Sequence, residues 1–74
     1  MKITNEVIKQ LGSRFFRLSF IKKDGTFREI CARVTNKNHH MSGYWLVYDN
    51  KDKSLKTVLE NNIILIKQGK KFFR

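Results

Sequence analysis

Arginine and aromatic residues around one short stretch carry the chemistry this sequence offers. Residues 20–34 read FIKKDGTFREICARV, with Arg28 and Arg33 inside the run and Arg17 just ahead of it. An arginine fork matches a phosphate bidentately, and an aromatic ring gives an exposed base a face to stack on. Phe15, Arg17 and Arg33 therefore form one candidate polyanion surface. Lys22 and Lys23 precede the turn, Lys37 sits in a later polar loop, and Arg28 lies near the turn. Phe15 or Trp45 would stack a base. Plainer readings exist for the same residues. Phe15, Ile21 and Phe27 serve equally as core beneath an N-terminal helix. Tyr44, Trp45 and Tyr48 serve as strand core, with one ring half-exposed.

Other chemistries find little support. Ser13, Ser19, Ser42 and Ser54 lack a glycine-elbow context, and the acids Glu6, Asp24, Glu29, Asp49, Asp52 and Glu60 are scattered. A glycine-rich phosphate loop is missing. His39 and His40 are adjacent and point in different directions, a poor chelating pair, and no Cys/His zinc spacing occurs. No catalytic residue, metal or cofactor is expected. The tail KQGKKFFR pairs cations with two phenylalanines, as membrane-surface segments do, but Gly69 interrupts it and a last strand with outward basic positions fits better.

Charge narrows the partner. Sixteen Lys and Arg stand against six Asp and Glu, a formal +10 on 74 residues. Such a balance favours an acidic partner: nucleic acid, an anionic membrane surface or an acidic protein, of which the membrane is not the expected one. A basic protein with no polyanion partner is the bland alternative. A hydrophobic content of 41% supports a folded core, in a chain short enough to bury only about 60% of its unfolded surface. That size suggests one domain over 1–74. The lone Cys31 cannot form an internal disulfide, which fits a reducing cytoplasm. The polar start MKITNEVIKQL reads as neither a signal peptide nor a membrane span.

These residues need elements to position them. ITNEVIKQLG reads as a short helix over 4–11, with Thr4 as N-cap, Glu6 in the first turn and Gly12 at the C-terminal cap. Ile3 and Ile8 occupy the two positions of a hydrophobic staple. The flanks of Lys23-Asp24-Gly25 predict a hairpin. A two-residue turn would set Phe20 opposite Glu29 and scramble the faces. A three-residue loop with Gly25 left-handed pairs Phe16 with Ala32, Leu18 with Ile30 and Phe20 with Arg28, and is preferred because one face becomes apolar. Arg17 and Arg33 then share the other face with Phe15. Arg28 takes the core-side parity and would leave through one end, stem packed and head in solvent. YWLVYD reads as a strand buried on much of both faces; LKTVLE, IILIK and the tail add more. One helix and five or six short antiparallel strands, the barrel spanning about 14–74, suggest a mainly β, SH3-like or Sm-like barrel.

The order helix, F-x-L-x-F-x-K-x-D-G-T-x-R, loop, V-x-D, then L-K-T-V-L-E-N-N-I resembles the small WYL-like domains of tailed-phage genomes. The residues that carry it are Phe16 to Arg28, Val47 to Asp49 and Leu55 to Ile63, within roughly 13–66. Where that family usually has aromatic-Arg and later Asp-Arg-Ile, this chain has Leu55-Lys56 and Asn61-Asn62-Ile63. The resemblance implies an SH3-like or Sm-like barrel and a regulatory or host-interaction role in the host cytoplasm, not an enzyme. The expected function is a phage-type accessory protein that binds nucleic acid, RNA or single-stranded DNA ahead of duplex. The alternatives are a protein-binding module acting on a host enzyme or defence complex, and a subunit of a homo-oligomeric ring.

Overall fold

Thr4 begins the helix as its composition demands. Its Oγ1 accepts the Val7 N–H at 3.2 Å, and Gly12, at φ 62°, closes the other end by donating to the Ile8 carbonyl at 3.1 Å. Between these caps runs α1 (Asn5–Leu11). The computed structural model describes residues 2–35, 40–41 and 43–74, so Lys37 and His39 lie outside the described residues. Among the described residues seven strands follow: β1 (Phe16–Ile21), β2 (Phe27–Val34), β3 (His40–Met41), β4 (Tyr44–Asp49), β5 (Ser54–Leu59), β6 (Ile63–Gln68) and β7 (Lys71–Phe73). A 3₁₀ turn, Glu60–Asn62, separates β5 from β6.

All pairings are antiparallel and lie in one sheet. The order is β5-β4-β2-β1-β6-β7, with the two-residue β3 beside the first residues of β4. The chain is thus mainly β with one short helix. Among the described residues no ladder joins β5 to β7.

The β1–β2 hairpin takes the three-residue loop. Phe16 pairs with Ala32, Leu18 with Ile30 and Phe20 with Arg28. Gly25 sits at φ 88°, its N–H donating to the Lys22 carbonyl at 2.9 Å, while Lys22 N–H donates to the Thr26 carbonyl at 2.8 Å. Asp24 braces the loop by accepting from both Thr26 N–H and Thr26 Oγ1.

Alternation along β1, β2 and β4 sends Phe16, Leu18, Ala32, Trp45 and Val47 inward, where Ile66 of β6 meets them. Ile3, just ahead of the helix, and Leu11 at its last turn close this core, with Val7 and Ile8 packed against it. The expectation for β4 is corrected here. Trp45, Val47 and Asp49 are buried, but Tyr44 is exposed and Leu46 and Tyr48 are only half-buried, because β4 has one covered face.

The helix is also fastened at both ends by polar groups. Ile3 N–H donates to Glu60 Oε1 at 3.2 Å. At the other end buried Gln68 donates through Nε2 to the Leu11 carbonyl at 2.9 Å. That bond occupies an orphan carbonyl of the last helical turn. In sequence, Gln68-Gly69 reads only as punctuation before the tail.

Candidate nucleic-acid interface

Strand register assembles the outer face. Arg17 lies opposite Cys31 on β2 and opposite Lys67 on β6. Arg33 lies opposite Tyr48 on β4, and Lys67 opposite Phe72 on β7. Paired residues share a sheet face, so these side chains form a row that crosses the strands. From β4 to β7 the row spans about 19 Å, four strand spacings of about 4.8 Å.

Ring contacts order the cations. The Arg33 guanidinium carbon stands 4.7 Å from the Tyr48 ring centroid and 5.5 Å from that of Phe15, so it is held by two aromatic rings. Lys67 Nζ stands 5.6 Å from the Phe72 centroid. Arg17 Nε is 3.7 Å from Glu29 Oε1, and Glu29 also accepts from Ser19 Oγ at 3.2 Å. Both partners of the Arg17 pair are well exposed, so that contact contributes little and does not neutralise the arginine. Phe15 is 41% exposed and Phe72 55%, which leaves aromatic surface at either side of the cations. A hollow of about 320 Å³ opens beside Phe15, lined by Arg17, Cys31, Lys67 and Gly69, with Phe16 and Gln68 beneath.

Two sequence expectations change here. The idea that Phe15 and Phe27 are core beneath the helix is overturned, since both are exposed; α1 covers the opposite, inner face. Trp45 leaves the interface. Its ring is fully buried and stacks on Phe16 at 5.4 Å with planes 5° apart, so it has no face for a base.

The remaining basic candidates form a separate cluster. Lys22, Lys23 and Arg28 line a cleft between the end of the hairpin and β5, over Phe20, Val58 and Leu59. Arg28 has the inward parity expected of it and is half-exposed, its guanidinium 3.9 Å from Asp52. Lys56 joins the same network, 2.6 Å from Asp52 and 3.1 Å from buried Asp49. Asp49 Oδ1 also accepts the N–H groups of Lys51 and Asp52, which fixes the β4–β5 turn.

Burial alone would raise the Asp49 pKa. The Lys56 ammonium and the two N–H groups outweigh that and hold it below its ordinary 3.8. Asp52, then Asp49, push Lys56 above its ordinary 10.5. The depressed carboxyl contributes stability that is present above about 3.8 and is lost as pH falls through its folded value. The raised amine contributes stability that is full below 10.5 and is lost as pH rises beyond it. Asp49→Asn is therefore expected to cost about 1–3 kcal/mol at neutral pH and to flatten the acid limb of a stability–pH curve. Denaturant melts between pH 2 and 7 check this, and an unchanged acid limb would refute it.

The residues that sequence reading left out of the interface are Tyr48, Lys67 and Phe72. Tyr48 and Lys67 reach the row through pairings between segments distant in sequence, and Phe72 follows Lys67 through the local β6–β7 hairpin. The one local signal was parity: in YWLVYD, Tyr44 and Tyr48 must face away from Trp45. No helix among the described residues is long and apolar enough to cross a membrane. No protein-family model, curated protein or solved structure matches this chain.

Proposed function

We propose that this protein binds single-stranded nucleic acid, RNA or DNA, across the outer face of its sheet. The observation that carries the reading is Arg33 held between Phe15 and Tyr48, in one row with Arg17, Lys67 and Phe72. Guanidinium and ammonium groups would neutralise phosphates, and the exposed rings would stack bases. Such a surface tolerates any sequence, because every base has a π-face. The chain works as a binding protein without a catalytic step. The 3₁₀ turn between β5 and β6 and the bulge in the β1–β6 ladder favour a curved, SH3-like or Sm-like barrel over a flat sheet. The phage-type accessory role rests on the resemblance of residues 13–66.

Salt dependence tests it. Three phosphate contacts predict that log K falls by about 2 per tenfold rise in salt, at about 0.7 per contact on single strands. Fluorescence anisotropy of a labelled oligonucleotide measures the slope. A flat response, or no binding at low salt, overturns the reading.

A second reading has its own support. The cleft of Lys22, Lys23, Arg28 and Lys56 over an apolar floor suits an acidic protein segment, and would make the chain a module that modulates a host protein. A host protein that stays bound after nuclease treatment would favour it.

A further inference from the structure

We infer that the hollow beside Phe15 is a subsite for one unpaired base, with its flanking phosphates on Arg17 and Lys67. This deepens the nucleic-acid reading and rests on it. Four features of the hollow carry it. Its volume, about 320 Å³, lies at the low end of the range for small-molecule sites. Arg17 and Lys67 both line it and are direct cross-strand partners, so two cations flank one opening. No carboxylate lines it, and its two cations meet one exposed carboxylate contact, Arg17 with Glu29 at 3.7 Å, whereas Lys56 of the hairpin-end cleft is closely paired with both Asp52 and Asp49. Phe15, which Arg33 also approaches, borders it with a ring that is 41% exposed.

The wall also sets what the subsite reads. Gln68 is the polar neutral side chain at the hollow, and its amide is committed: Nε2 to the Leu11 carbonyl, Oε1 to Arg14. Buried and with both polar atoms already partnered, it is poorly placed to discriminate base edges. Recognition is by stacking and is indifferent to base identity. Gly69 leaves the space above its Cα open, so the rim does not obstruct entry. A base held in a duplex is already stacked and paired, and enters only after unpairing; the subsite therefore selects single strands.

Cys31, the chain's one cysteine, lines the hollow and is exposed, which supplies a built-in reporter. Two labelled ten-nucleotide probes, oligo-dT and an all-abasic phosphodiester of the same length, separate base from backbone. Oligo-dT is expected to bind about 5- to 150-fold tighter than the abasic probe, with the same salt slope, from about 1–3 kcal/mol of stacking for one base. Saturating oligo-dT should slow alkylation of Cys31 by iodoacetamide, and the saturating abasic probe should not. Cys31→Phe, which fills the hollow, should narrow the gap between oligo-dT and the abasic probe. Equal affinities for the two probes overturn the subsite and leave the polyanion reading standing. Tighter oligo-dT binding with unchanged Cys31 reactivity also overturns it, placing the stacked base elsewhere on the row. Failure of both probes to bind at low salt overturns the nucleic-acid reading itself.

Discussion

Trp45→Ala is expected to lower the melting temperature by at least 12 °C, the largest loss of stability from any single truncation here. Trp45 is the chain's one tryptophan, is fully buried, and stacks on Phe16. Truncating such a ring costs about 3–5 kcal/mol, because the lost transfer energy is compounded by a cavity the sheet cannot close. Small domains hold only about 5–15 kcal/mol in total, and each kcal/mol moves their melting temperature by about 4–8 °C. Trp45→Phe keeps a stacked ring and should recover much of the loss. It sacrifices no hydrogen bond among the described residues, since the indole Nε1 is buried without a partner there. Tyr44→Ala, next door but exposed, should change stability by about 0.5 kcal/mol or less. Thermal circular dichroism ranks the three. The same burial predicts that Trp45 fluorescence is insensitive both to acrylamide and to bound oligonucleotide. Strong quenching by oligonucleotide would show the ring to be accessible after all.

Local chemistry made half of this architecture legible. Thr4 and Gly12 mark the helix because a hydroxyl and a residue free to take positive φ are what its two ends require. The hairpin register followed from faces: only the three-residue loop keeps Leu18, Ile30 and Phe16 on one side, and a slip of one residue would have put Glu29 there. Because register was readable, so was the separation of Arg17 and Arg33 from Arg28.

What stayed hidden depends on contacts between distant segments. Nothing near Arg33 announces Tyr48 as its neighbour; that follows from the pairing of β2 with β4. Lys67 and Phe72 reach the row because β6 pairs with β1, and β7 with β6. Gln68 looks like a turn residue until the helix end is laid beside it. Trp45 was ambiguous for a different reason. A run that is apolar at nearly every position lacks the alternation that tells an inward ring from an outward one.

Separating the arginines gives a prediction about function. Arg17→Ala combined with Arg33→Ala is expected to weaken single-strand binding about 25-fold at about 0.1 M salt. It should also reduce the salt slope by about 1.4, two contacts at about 0.7 each. Stability should fall only modestly. Arg17 loses an exposed contact with Glu29, and Arg33 loses two ring contacts of about 0.5–1 kcal/mol each. Arg28→Ala should do the reverse. Its side chain sits over Phe20 at the cleft and faces Asp52, so its removal bares apolar surface and leaves binding on the outer face within about twofold. Lysine replacements then divide charge from shape. Arg17→Lys with Arg33→Lys keeps both positive charges and should keep the slope. A lysine ammonium presents no planar fork to a phosphate and no flat surface between Phe15 and Tyr48, so affinity should still drop. Anisotropy titrations at several salt concentrations, paired with denaturant melts, read both quantities for every variant. If Arg28→Ala weakens binding as much as the Arg17 and Arg33 pair does, the strand lies in the hairpin-end cleft and not across the sheet.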